Sequence, residues 1–184
     1  MLSIVHRLRS DDALMLAYQR GDADAFEHLY HRHKDGLFAF LYRSHPNMAV
    51  VEEIAQDAWT AVIQAAAQYS AEGTFKTWLY QIGRNRLVDF WRRKDNQHEA
   101  IDDIPEPAAQ PSGWQASEAE QNILRAIGEL PLEQRDAVLL REQGFSLAEI
   151  GDITGAEQET VKSRLRYARK QLRERLVDEP GVHA

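Results

Sequence analysis

Along residues 13–94 and again along 117–176, apolar side chains recur at intervals of three and four, and nowhere do they alternate in twos. A 3.6-residue period gathers such side chains into one stripe of a helix, whereas a half-buried strand needs a period of two. The chain is therefore expected to be all-α. Between the two periodic stretches the pattern stops: Pro105, Pro107, Pro111 and Gly113 stand among acidic residues, as in an extended linker. The expected organisation is two small helical domains, at 1–94 and 117–178, joined by an acidic flexible linker at 95–116 and followed by a short tail at 179–184. At 184 residues the chain is long enough to bury a core.

Several classes are excluded at once. The chain has no cysteine, which removes disulfides, thiol redox chemistry and cysteine-ligated zinc. The opening MLSIVHRLRS is too short and too interrupted for a signal peptide, and no apolar run is long enough to cross a membrane, so a cytoplasmic protein without membrane insertion is expected. A net charge of −7 argues against a free-standing DNA binder, because non-specific affinity scales with phosphates neutralised. That average hides a segregation. Residues 74–94 carry Lys76, Arg84, Arg86, Arg92, Arg93 and Lys94 against Asp89 alone, while 95–121 holds acids with no lysine or arginine.

In the first half, Asp11 or Asp12 is placed to cap a helix over 13–20, with Gly21 as its stop. A second helix is expected from Asp22 or Asp24 to the break at 44–47, where Pro46 opposes continuation. Asn47 then caps a third over 48–68, with Val51, Ile54, Ala58, Trp59 and Val62 inward and Glu53, Gln56 and Asp57 on its wet face. His28, His31 and His33 do not make a metal site, because helical geometry turns His33 away and no neighbouring acid completes a set. Glu53 and Asp57 read as solvated carboxylates rather than an acid/base pair, since no second reactive group accompanies them. An acidic, amide-rich face suits docking on a basic protein surface.

The stretch TFKTWLYQIGRNRLVDFWRRK at 74–94 reads as one helix capped by Thr74. Phe75, Trp78, Leu79, Ile82 and Phe90 form its core stripe, yet Thr77, Tyr80, Arg84, Val88 and Trp91 line the opposite side. A second apolar face ringed by cations has the makeup of a surface that stacks bases and neutralises phosphates, or else of a helix buried on both sides. Tyr69, on the short loop just before it, is placed either to receive an unstacked base or to fold back on the core.

In the second half, Ser117 caps a helix carrying Ile123, Leu124 and Ile127, and Leu130-Pro131 breaks it and starts the next, which Gly144 ends. Ser146 with Glu149 then forms a capping box, a short helix follows over 147–153, and Thr154-Gly155 makes a turn. A long helix comes after, with Val161, Leu165, Ala168, Leu172 and Leu176 inward and Glu159, Lys162, Ser163, Arg166 and Lys170 outward. Short helix, glycine turn and basic second helix are the helix-turn-helix arrangement, whose second helix reads a major groove.

At this point the motifs AFEHLYHRH, VVEEIAQDAW, FKTWLYQIGRNRLVDFWRR, ELPLEQRDAVLL and FSLAEIGDITGAEQETVKSRLRYAR, in that order around an acidic linker, resemble the extracytoplasmic-function (ECF) sigma factors. These are minimal promoter-recognition subunits of bacterial RNA polymerase. The resemblance implies a non-enzymatic subunit that needs no cofactor and directs promoter-specific initiation. Its first domain, region 2, would dock on the polymerase clamp helices and open the −10 element; its second, region 4, would read the −35 element and sit on the flap. Carried over residue by residue, Glu53, Gln56 and Asp57 match the clamp-docking face. Tyr69, Thr74, Phe75 and Asn85 match the loop and pocket that take a flipped non-template base, while Lys76, Arg84, Arg92 and Arg93 would hold its strand. Lys162, Ser163, Arg166 and Tyr167 match the residues that meet the −35 groove, with Arg164 and Arg169 as phosphate contacts. The acidic linker resembles the segment that threads toward the RNA path. An anti-sigma factor is a further expected partner, and the short tail implies no appended regulator. One departure stands out: Glu159, with Gln158 and Glu157 before it, occupies the place where the family usually has glycine, so the −35 sequence read here is expected to differ. A free-standing helix-turn-helix regulator is the alternative.

Overall fold

The computed structural model describes residues 8–96 and 117–177, with side chains up to Arg93 in the first span and up to Leu176 in the second. All regular structure in the described residues is helical. The elements are α1 (Asp11–Gln19), α2 (Ala23–Ser44), α3 (Met48–Ala65), a single 3₁₀ turn (Ala66–Gln68), α4 (Phe75–Asn96), α5 (Glu118–Gly128), α6 (Leu132–Glu142), α7 (Leu147–Thr154) and α8 (Gln158–Val177). They fall into two compact units, one within Met1–Leu41 and Glu52–Glu99, the other within Tyr42–Val51 and Ala100–Ala184. Of the expected linker at 95–116, Asp95 and Asn96 continue α4, while 97–116, with Trp114, and the expected tail at 179–184 lie outside the described residues.

Helix boundaries follow side-chain chemistry. Ser10, one residue ahead of the expected aspartates, caps α1 by accepting from the Ala13 N–H. That releases Asp11 and Asp12 for other partners. Asp22 accepts from Ala25 at the start of α2, and Asn47 accepts from both Ala49 and Val50 at the start of α3. Thr74 caps α4 through the Thr77 N–H at 3.2 Å. These caps satisfy donors that a helix start leaves without intrahelical partners.

The first unit closes around Leu14, Met15, Leu29, Leu37, Phe40, Leu41, Ala58, Val62, Phe75, Leu79, Tyr80 and Leu87, all of them buried. Removing a side chain of this size from water contributes roughly 1.5–3 kcal/mol, which is what holds short helices that would be marginal alone. Here the second face of α4 differs from a free aromatic surface. Tyr80 is 1 % exposed and packs on Phe40 with ring centroids 5.5 Å apart, and Thr77 is buried beside it. The N-terminal half of α4 is thus buried on two sides, and burial holds the Tyr80 phenol above its ordinary pKa. Only further along does the helix turn polar and charged side chains fully outward, at Asn85, Arg86, Asp89, Arg92 and Arg93.

In the second unit α8 packs on α5, α6 and α7. Its stripe Val161, Leu165 and Ala168 meets Ile127, Leu130, Ala137, Leu140, Phe145, Ile150 and Ile153 in a core. Pro131 stands at the cap position rather than at the first helical residue of α6. The Arg135 guanidinium on α6 donates to the carbonyls of Gly128 and Leu130, satisfying acceptors at the end of α5. Farther along, Gln171 donates to Gln134 and Arg175 to the Ala126 carbonyl, tying the last turns of α8 back to its neighbours.

Candidate nucleic-acid interface

In the second unit, α7, its turn and α8 form the helix-turn-helix. Both members of the Ser146/Glu149 capping box are made: Ser146 accepts from the Glu149 N–H, and Glu149 accepts from the Ser146 N–H. Gly155 ends α7 at φ 68°, in the left-handed region where a side chain is strained. Gly151 lies so near the turn that a Cβ there would stand 2.6 Å from the Ala156 carbonyl oxygen. The turn between the two helices depends on both residues.

The outer face of α8 is open to solvent. Lys162, Arg166, Tyr167, Arg169, Lys170 and Arg173 are exposed, while Ser163 and Arg164 are half-buried at its edge. A cleft of about 480 Å³ runs along this face, lined by Arg141, Lys162, Arg166, Arg169, Lys170 and Arg173 with Leu147 and Leu165 at its floor. Six cations and no acid line it, so it is a ready anion track. Arg141, at the end of α6, is held there by donating to the Phe145 carbonyl at 2.8 Å. The Arg166 guanidinium lies 5.1 Å from the centre of the Tyr167 ring, which presents cation and aromatic face together.

Reading by sequence missed Arg141, Lys170 and Arg173 as site residues. Arg173 was accessible by extending the helical stripe 162, 166, 169 by one more turn. Arg141 was not, since only the packing of α6 on α8 brings it to the cleft. Glu159 also finds a partner that a linear reading does not show: it forms an ion pair with Lys162 three residues on.

In the first unit the residues around the 69–74 loop divide into two groups. Tyr69 is 8 % exposed and folds inward, its phenol O–H donating to Asp12 at 2.5 Å and its ring 5.0 Å from that of Trp78. Burial first, and then the Asp12 carboxylate that accepts its proton, push its pKa far above the ordinary phenol value. Phe75 is fully buried against His33 and Trp78. Thr74 is exposed at the rim, its hydroxyl hydrogen-bonded to that of Thr77 at 2.8 Å. Lys76 is half-buried with its ammonium 5.8 Å from the Tyr80 ring, Arg84 is half-buried, and Asn85, Arg92 and Arg93 are exposed. Of the two readings left open for Tyr69, the inward one describes this structure.

On α3, Glu53, Gln56 and Asp57 are all exposed on one face. The three histidines part company. His28 is buried, His31 lies 3.6 Å from Glu27, and His33 meets Asp11 at 2.8 Å. Asp11 reaches His33 from α1, 22 residues earlier in the chain. Burial works to raise the Asp11 pKa, but hydrogen bonds from His33 and Arg32 outweigh it and leave that carboxyl below its ordinary value.

Comparison with known proteins places both units. Residues 29–97 match the family model for Sigma-70 region 2, and residues 120–172 that for Sigma-70, region 4. The chain is 31% identical over 166 residues to the ECF RNA polymerase sigma factor SigM of Mycobacterium tuberculosis, covering 89% of this chain and 83% of that one. It is 32% identical over 173 residues to the ECF sigma factor RpoE of Cereibacter sphaeroides (89% and 93% covered), and 29% identical over 179 to SigW of Bacillus subtilis (87% and 93%). Among solved structures, that of CnrH in complex with the cytosolic domain of CnrY matches with a TM-score of 0.73 at 22% identity, covering 93% of this chain and all of that one. RpoE in complex with the anti-sigma factor NepR from Bartonella quintana matches with a TM-score of 0.71 at 24% identity, covering 84% and 98%. These two likenesses concern the fold. With a helix-turn-helix and basic cleft in one unit, a basic helix beside a short loop in the other, and both matched in order to sigma regions, the chain belongs to the extracytoplasmic-function sigma factors of RNA polymerase.

Proposed function

We propose that this protein binds core RNA polymerase in the cytoplasm and directs it to promoters, performing no covalent chemistry itself. The observation that carries this reading is the ordered pair of region 2 and region 4 matches, each coinciding with a surface suited to its part. A free-standing operator-binding regulator would use the helix-turn-helix but leave the match over 29–97 without a role.

Region 4 reads the −35 element with α8. Lys162, Ser163, Arg166 and Tyr167 meet the groove, and Arg164, Arg169, Arg141 and Arg173 meet phosphates. Region 2, at 1–94, opens the −10 element. Thr74 and Asn85 border the place of the flipped base, while Lys76, Arg84, Arg92 and Arg93 run beside its strand. Tyr69 and Phe75 serve from beneath, as the packed base of the loop, because their rings are closed to solvent. Glu53, Gln56 and Asp57 dock on the clamp helices and region 4 on the flap, with the acidic segment 95–116 as connection. Strand opening then draws on affinity for the unstacked state that the duplex does not share. An anti-sigma factor holds the protein inactive, a reading supported by the relative solved with NepR.

Run-off transcription on fragmented genomic DNA, with sigma-free core polymerase and this protein, tests the proposal. Discrete new transcripts whose start sites share two upstream elements are expected. Failure to bind core polymerase would overturn it.

A further inference from the structure

Helix α1 has no place in either DNA-facing surface, yet its side chains reach both rims of the 69–74 loop. One carboxylate oxygen of Asp12 accepts from the Tyr69 phenol at 2.5 Å and from the Phe75 backbone N–H at 2.8 Å. Two turns later on the same face, the Gln19 amide donates to the carbonyls of Ala66 at 2.7 Å and Tyr69 at 2.8 Å. Each contact answers a backbone need. Phe75 opens α4, so its N–H is one of the donors a helix start leaves over, and a carboxylate there also suits the helix dipole. Tyr69 follows the end of the 3₁₀ turn, so its carbonyl lies where regular structure stops, while the Ala66 carbonyl, which accepts from the Tyr69 N–H at 3.2 Å, takes Gln19 on its second lone pair. Between the two clasped rims, Ser70, Ala71, Glu72, Gly73 and Thr74 are all exposed. The loop is thus pinned at both ends by one helix and open only at its tip.

We propose that Asp12 and Gln19 are positioning residues for promoter opening: from α1 they hold the loop in the shape that receives an unstacked base. The inference rests on the sigma-factor reading and names residues that reading does not assign. Extruding a base has to be met from binding energy to the open strand, and a loop that also had to be ordered at that moment would subtract from it. Holding the rims in advance removes that second cost. Asp12 is doubly suited, since one oxygen joins the loop's first residue to the first residue of the helix beyond it.

The test binds holoenzyme, made with core RNA polymerase, to a single-stranded non-template oligonucleotide spanning the −10 element and scanned with single abasic sites. The wild-type holoenzyme is expected to lose about tenfold in affinity at one position, the value of a captured base. Asp12→Ala and Gln19→Ala are expected to bind the intact oligonucleotide nearly as weakly, with less than a twofold further loss at that position. Asp12→Asn keeps an acceptor oxygen and is expected to restore most of the penalty, whereas a role confined to helix stability would leave the abasic profile unmoved in every variant. Tyr69→Phe, which keeps the ring and removes the O–H, tests the latch where the alanine variants fold poorly, and is expected to show part of the same loss. A full abasic penalty in Asp12→Ala and Tyr69→Phe would overturn the clasp while leaving the sigma-factor reading intact. A wild-type protein that directs transcription but shows no position-sensitive penalty would also overturn it. A wild-type protein that directs no transcription would instead strike at the reading on which the clasp rests.

Discussion

Lys162 and Arg166 stand one turn apart on the exposed face of α8, on the same cleft as Arg141 and Arg173. On the proposed reading, their parts in binding separate by what each would touch. Lys162→Ala and Arg166→Ala are expected to weaken −35 recognition by roughly tenfold each while leaving core polymerase affinity unchanged, as read by promoter binding alongside a core-binding assay. Arg141→Ala and Arg173→Ala are expected to weaken binding evenly across promoter sequences, each lowering the slope of log affinity against log salt by about one. Glu159 pairs with Lys162, and both side chains are exposed, so the pair is weak; on the proposed reading it would compete with DNA for that lysine. Glu159→Gln is expected to raise −35 affinity by up to about fivefold, a gain that disappears in a Lys162→Ala background. Asp11 offers a pH test. Its folded pKa lies below 3.8, so its pairing with Arg32 and His33 stabilises the first unit fully above that value and is lost as pH falls through the lowered one. Asp11→Asn should therefore destabilise the protein at neutral pH and reduce the part of its stability lost on acidification, measured as urea midpoints across acid pH.

At the scale of the element, α7 and α4 pose opposite problems. Helix α7 spans eight residues, too few to persist alone, and depends on its cap and its turn. Ser146→Ala removes one side of the capping box and is expected to destabilise the helix-turn-helix by about 1 kcal/mol, seen as faster amide exchange at Ile150 and Ile153. Gly151→Ala forces a methyl toward the Ala156 carbonyl and is expected to cost more, roughly 1–3 kcal/mol, with loss of −35 binding in parallel. Such devices were legible in the sequence because caps and turns act within a few residues. The two-faced α4 was not. Its apolar residues were visible on both sides, but whether Tyr80 met a base or Phe40 depended on α2, some forty residues away in the chain.

Over the whole molecule, the charge distribution decides what the free protein can do. A net charge of −7 sets a long-range field against DNA, while cationic residues cluster in the α8 cleft and at the outer end of α4. The free chain is expected to give no promoter-specific complex at physiological salt where the holoenzyme does, as read by filter binding over a salt series. A free chain that bound its promoter as tightly as the holoenzyme would contradict this division of labour.

By itself the sequence determined the helical class, the caps at Asn47, Thr74, Ser117 and Ser146, and the basic stripe of α8. Each of these is written in periodicity or in chemistry between near neighbours. Tertiary structure alone decided which aromatics are exposed: Tyr69 and Phe75 are buried, the one held by Asp12 of α1 and the other against His33 of α2. It also decided that Arg141 joins the α8 cleft and that Asp12 and Gln19 grip a loop some fifty residues downstream. Burial and long-range hydrogen bonds depend on which helices meet, and spacing along the chain does not carry that information.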